Sequence, residues 1–277
     1  MKKPATGTKE WSTSSINVSS GCAHDCLYCY ARAQAIRFKR KTPATWCDEE
    51  INRDVLRKGF SKRKGRVMLP TTHDLTDATI EPVIAVARRL LHAGNELLIV
   101  SKPAPRLIER LLRDLQSWKY NARQLVEFRF TIGSYLDSTL RFWEPCAPTF
   151  AHRLASLYLA RREGFKVSVS CEPMLEHRGR MVELVHMLEP IVGAMGDERD
   201  GSIWLGKMNQ ARARLKANGV KFDAELLRRL AEIERWQADG EISRLYLELK
   251  AHPLVRWKES IKRVVGLDLA TEPGLDQ

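Results

Sequence analysis

No run of eighteen apolar residues occurs in the 277-residue chain, which excludes an ordinary membrane-spanning helix. The first residues, MKKPATGTKEWSTSS, are basic but lack the apolar stretch of a secretory signal, so a cytoplasmic protein is expected. No Gly-x-Gly-x-x-Gly follows any strand-like run, which excludes the dinucleotide-binding fingerprint. Internal repeats and low-complexity tracts are absent. The chain has six cysteines, too unevenly placed for a disulfide framework in a protein large enough to bury its own core.

Three of those cysteines, Cys22, Cys26 and Cys29, stand within eight positions in SSGCAHDCLYCYAR. The spacing C-x3-C-x2-C lets one loop set three thiolates on one face of an iron-sulfur cube and leave one iron without a protein ligand. Zinc is the competing metal; it takes four ligands, so Cys47 or His24 would have to complete the set. Lys and Arg number 46 against 34 Asp and Glu, a net charge of +12. Between Tyr30 and Met68 twelve basic residues face four acidic ones, a net +8 directly after the cysteines. Such a stretch draws a polyanion toward whatever the cysteines hold, or forms a solvated loop.

Strand-like runs at 15–20, 65–70, 96–101, 126–134, 166–173 and 202–207 alternate with helical patterns at 27–38 and 48–58, 80–93, 104–116, 149–163 and 178–189. Leu107, Ile108, Leu111, Leu112 and Leu115 repeat at the spacing of one buried helix face. Six βα units predict an α/β fold with a parallel sheet, curved into a partial (β/α)6 TIM-type barrel. The expected division is an N-terminal tail (1–13), the barrel (14–210) and a C-terminal helical extension (211–277). Residues 210–250 read as two charged amphipathic helices, with breaks near ANGVKF and ADGE. Cys22 follows the first strand-like run, at the end of a parallel strand where active sites form.

GCAHDCLYCYAR resembles the radical S-adenosylmethionine (SAM) motif C-x3-C-x-φ-C, with Tyr28 as the aromatic φ residue. RVMLPTTHD, LLIVSKP, FRFTIGS and FWEPCAPTFAHRL resemble, in order, strand ends of the spore photoproduct lyase-like branch of that superfamily, so the likeness covers about residues 12–210. The resemblance implies a [4Fe-4S] cluster on Cys22, Cys26 and Cys29, SAM chelated at the open iron, and an electron donor such as flavodoxin or ferredoxin. Tyr28 would pack by the adenine. Thr72, His73 and Asp74 would offer acceptors to the SAM ammonium, with Asp74 as a helix cap the alternative. Lys102 and Arg153 would meet the SAM carboxylate; Thr131 would line the cofactor site; Glu172 or Asn209 would reach ribose or adenine. The lyases carry a hydrogen-donating cysteine at the end of the second strand, where LPTTHD has none. Tyr30 remains as a radical relay.

The resemblance implies an enzyme that cleaves SAM reductively to a 5′-deoxyadenosyl radical, with a nucleic acid as the substrate that the basic stretch favours. A peptide or small molecule is the alternative, although no cysteine-rich auxiliary-cluster segment follows the barrel. A nucleic-acid-binding protein with a structural metal is the alternative from a different class.

Overall fold

The computed structural model of the chain describes residues 4–117, 122–193 and 201–274. After a 3-10 turn at Gly7–Glu10 come β1 (Ser14–Ser15), β2 (Ser19–Ser20), α1 (Tyr30–Arg37), β3 (Glu50–Ile51), α2 (Arg53–Arg57) and β4 (Val67–Met68). The regular part follows: α3 (Ile80–His92), β5 (Leu97–Ser101), α4 (Pro105–Gln116), α5 (Ala122–Leu125), β6 (Val126–Thr131), α6 (Asp137–Trp143), α7 (Phe150–Arg162), β7 (Lys166–Cys171), α8 (Arg178–Val192) and β8 (Ser202–Leu205). The chain ends in α9 (Ala211–Ala217), α10 (Ala224–Trp236), α11 (Asp239–Leu249), β9 (Val255–Trp257) and α12 (Glu259–Val265).

Seven strands form one parallel sheet in the order β1-β4-β5-β6-β7-β8-β9. Spatial order follows chain order without reversal, as in a barrel wall and unlike a doubly wound sheet. The expected α/β partial barrel is therefore the observed one. Two differences stand out. Residues 210–250 form three helices, because both turn signals break the chain. Residues 255–257, which carry too little periodicity to read as a strand, add β9 beside β8.

Alternation along the strands separates two interiors. Phe128 and Phe130 of β6 join Val167 and Val169 of β7 under the helices, where the leucine face of α4 is buried. Glu127, Arg129 and Thr131 point the other way, into the barrel. There Arg129 lies 4.4 Å from the Trp11 ring centroid and 5.1 Å from that of Trp204. Its guanidinium is 2.8 Å from Glu127 and donates to Ser168 Oγ at 2.8 Å. Arg66 pairs with the same glutamate and donates to the Trp11 carbonyl. This plug fills the barrel at the amino-terminal ends of its strands.

The two ends of the chain meet at Lys258. Its buried ammonium lies 2.8 Å from Glu10 Oε1, donates to the Gly7 carbonyl at 2.9 Å, and sits 3.6 Å from the Trp11 ring centroid. Burial pushes the Glu10 carboxyl up, and Lys258 opposes that shift. Lys258→Met should cost about 3–5 kcal/mol at pH 7, since it strands a buried carboxylate. The cost should shrink toward pH 5, where Glu10 can take up a proton in the folded state. Urea denaturation at the two pH values checks this; an unchanged midpoint would show that the ends are held by other contacts.

Candidate active site

The loop from Gly21 to Cys29 joins β2 to α1 and is anchored from four sides. Cys22 N–H donates to the Trp46 carbonyl at 3.0 Å and Leu27 N–H to that of Trp143 at 2.9 Å, while the His24 carbonyl accepts from Cys146 N–H at 3.3 Å. From the C-terminal part, Asn218 Nδ2 donates to the carbonyls of Leu27 (2.8 Å) and Cys29 (3.0 Å). Gly21 has φ +95°, and a Cβ there would lie 2.3 Å from the Asp48 carbonyl oxygen. Only glycine fits that crossing. Cys29 caps α1, its sulfur accepting from Arg32 N–H at 3.4 Å.

Cys22 and Cys26 are buried and Cys29 is half-buried. Burial pushes all three thiols up, so without metal they are protonated and neutral. The three sulfurs are not all within 4.8 Å of one another, whereas Cys22, His24 and Asp74 are. A tetrahedral zinc, with bonds of about 2.3 Å to sulfur, would need its thiolates closer together. An ion on the Cys22–His24–Asp74 set would leave two thiols unused. The donor set fits a larger group that all three thiolates grip, as a cubane cluster does.

The thiols face a cavity of about 780 Å³ at the carboxyl ends of the strands. Tyr28, Tyr30, Thr72, Asp74, Lys102, Thr131, Glu172 and Asn209, all singled out in the sequence, line it too. Asp74 does not cap a helix; Thr79 occupies the N-cap position of α3. Its carboxylate accepts from Ser101 Oγ and from Lys102 N–H, and lies 3.0 Å from Lys102 Nζ and 3.2 Å from His24 Nδ1. Burial alone would push this carboxyl up; Lys102 and His24 outweigh burial and hold it well below the usual range. His73 Nε2 accepts from Val18 N–H at 3.1 Å, which leaves Nδ1 to donate to the Asp74 carbonyl. That imidazole braces the wall.

Arg153 does not line the cavity. Its guanidinium is fully buried, pairs with Glu144, and donates to the Pro148 (2.8 Å) and Thr131 (3.2 Å) carbonyls. Tyr28 also donates to Glu144. Arg153 thus holds Tyr28 and the β6 end, and a meeting with the SAM carboxylate does not suit its position. The basic stretch divides as well. Lys41 is buried on the Asp48 carbonyl and Glu50, and Arg66 belongs to the plug. Lys62, Arg63 and Lys64 precede β4, and Arg63 N–H donates to Asn95, just before β5. They lie by the amino ends of the strands, away from the cavity, so these clusters cannot meet a polyanion beside the cysteines. Arg37, Lys39 and Arg40 are exposed. Lys9, Lys207 and Arg214 also line the cavity; Lys9 and Arg214 carried no signal in the sequence beyond their charge.

Asn218→Ala removes both side-chain bonds to the loop, at a cost of about 1–3 kcal/mol of local stability. In metal-free protein the cysteines of the loop should then react with a thiol reagent roughly tenfold faster or more. Unchanged reactivity would show that the backbone anchors suffice.

No protein-family model and no curated protein matches the chain. Among solved structures it is similar to a spore photoproduct lyase double mutant with bound AdoMet and dinucleoside spore photoproduct, at 15% identity over 88% of this chain and 75% of that one, with a TM-score of 0.51. It is also similar to Streptococcus suis SuiB bound to the precursor peptide SuiA, at 11% identity and a TM-score of 0.53, covering 95% of this chain and 54% of that one. SuiB bound to S-adenosylmethionine matches at 12% identity and a TM-score of 0.50. The chain spans about half the length of SuiB. Both neighbours are seen with S-adenosylmethionine bound, and this chain shares their fold.

Proposed function

We propose that the protein is a radical SAM enzyme in which Cys22, Cys26 and Cys29 hold a [4Fe-4S] cluster. When bound and reduced, that cluster supplies the electron that cleaves SAM to methionine and a 5′-deoxyadenosyl radical, which takes a hydrogen atom from the substrate. The observation that carries the reading is the joint lining of one cavity by the three thiols, two buried and one half-buried, and Lys102.

The chain's own groups have defined tasks. Asp74 takes one N–H of Lys102, whose remaining donors serve the SAM carboxylate from the cavity wall. Thr72 and Thr131 supply hydroxyls along that wall. Tyr28 offers its ring to the adenine, its hydroxyl being held by Glu144. Tyr30 donates to the Thr71 carbonyl, and burial pushes its pKa up, so the phenol keeps the hydrogen a radical relay would pass on. Besides the three ligands no cysteine lines the cavity among the described residues, which sets the reaction apart from that of a lyase with a cysteine hydrogen donor. A flavodoxin or ferredoxin would deliver the electron.

A nucleic acid is the substrate class that the surface favours. At the end of α1, Phe38 is 62% exposed, with the guanidiniums of Arg37 and Arg40 at 5.6 and 5.5 Å from its ring centroid. Cations around a free aromatic ring suit phosphates and a stacked base. The likeness to SuiB, which binds a precursor peptide, keeps a peptide as the second reading.

Anaerobic reconstitution with iron and sulfide should give a brown protein that forms 5′-deoxyadenosine from SAM under dithionite. Cys26→Ala should lose both iron and product, and Lys102→Met should weaken SAM binding roughly ten- to a hundredfold with iron retained. A colourless protein holding one zinc would instead establish the structural-metal alternative. Changing Arg37, Lys39 and Arg40 to Glu should weaken oligonucleotide binding and lower its salt slope by about 0.7 per lost contact on single strands. Salt-independent binding would favour the peptide or small-molecule reading.

A further inference from the structure

The charged groups around the cavity are mostly matched. Lys102 pairs with Asp74, Lys207 with Asp239 at 3.2 Å, Glu172 with Lys258 at 3.3 Å, and Glu259 with Arg263. Arg214 is different. It is half-buried, lines the cavity, and its side chain makes no hydrogen bond or ion pair among the described residues. Burial acts on it first, and the Glu172 carboxylate acts on it from beyond ion-pair reach. A guanidinium drawn partly out of water without a partner is costly unless an anion completes it.

Its position is fixed. Arg214 stands one helical turn before Asn218 on α9, and Asn218 clamps the Leu27 and Cys29 carbonyls of the cysteine loop. Lys102 lies at the end of β5, and Arg214 follows β8, three strands further round the sheet. Lys102 is held by Asp74, whereas Arg214 stands on the helix whose Asn218 clamps the cysteine loop. Given the SAM carboxylate on Lys102, which is the reading advanced above, Arg214 is left for a second anion.

We infer that Arg214 is the substrate-anchoring residue, and that it takes a phosphodiester oxyanion of a single-stranded nucleic acid. The planar fork of a guanidinium binds such an oxyanion through two parallel N–H bonds. Gln34 of α1 and Gln210 before α9 line the cavity beside it and are exposed, so their amides can add donors to phosphate or base. α1 packs against α9 and runs from Cys29 to the cations around Phe38. A strand held at Arg214 therefore has a further cationic anchor along α1, which favours a phosphodiester chain over an isolated carboxylate.

The test measures binding of a single-stranded DNA pentamer to the full chain, with and without reconstituted iron. The comparison ligands are the same pentamer with uncharged methylphosphonate linkages and a pentaglutamate peptide. Wild type should bind the phosphodiester pentamer, and the methylphosphonate pentamer at least tenfold more weakly. Arg214→Gln should lose tenfold or more in affinity for the charged pentamer at wild-type iron content and thermal midpoint. Arg214→Lys should recover part of the loss, which a purely structural role would not produce. Equal pentamer affinity in wild type and Arg214→Gln overturns the inference, as does absence of pentamer binding or preference for pentaglutamate. A fall in SAM affinity with pentamer affinity intact also overturns it and assigns Arg214 to the cofactor. Because binding is read with and without iron, failure of the cluster assignment and failure of the anchor give different results.

Discussion

Three neutral thiols, two buried and one half-buried, can wait at the mouth of a barrel only if the loop that carries them is held by bonds that need no metal. Here that work falls to backbone bonds from Trp46, Trp143 and Cys146 and to the Asn218 amide. The loop is therefore shaped before any cluster is inserted, and the thiol protons must leave when a metal group enters. Asn218 also couples the C-terminal helices to the loop. The same residue thus helps to hold the loop that carries the thiols and the helix that carries Arg214.

The cavity exists because the strands below it are filled. Arg129, Glu127, Arg66 and Ser168 form a charged layer capped by Trp11 and Trp204, a costly arrangement in a barrel interior unless every charge has a partner. Lys258 then joins both chain ends to this plug across the side of the sheet between β1 and β9. Above the plug the strands turn smaller or polar groups inward, Val100, Thr131 and Ser170, and the cavity lies there. Among the described residues no helix is long and apolar enough to cross a membrane.

Local patterns in the sequence carried the main architecture. Periodicity marks α4 and the central strands because their buried faces are continuous in the chain, and the cysteine spacing is itself local. What escaped depends on distant partners. β9 is three residues long and is a strand only because β8 lies beside it. Arg153 lies in FWEPCAPTFAHRL, which resembles a segment of the lyase-like branch, yet Glu144 and the Thr131 carbonyl claim it. The +8 stretch counts Lys41 and Arg66 as free charges, although both are buried on partners that a charge sum cannot see. Arg214 fails to stand out for the opposite reason: in an amphipathic helix rich in arginine, nothing local says which one lacks a partner.

The central claim is that three cysteines hold an iron-sulfur cluster with one iron open to SAM. Electron paramagnetic resonance of the reduced, reconstituted protein tests it directly when SAM is added. A [4Fe-4S] signal whose shape changes on addition of SAM, in a sample with about four irons per chain, is the predicted result. A cluster signal that SAM leaves unaltered would contradict the open site, and a protein that takes up zinc in place of iron would contradict the cluster itself.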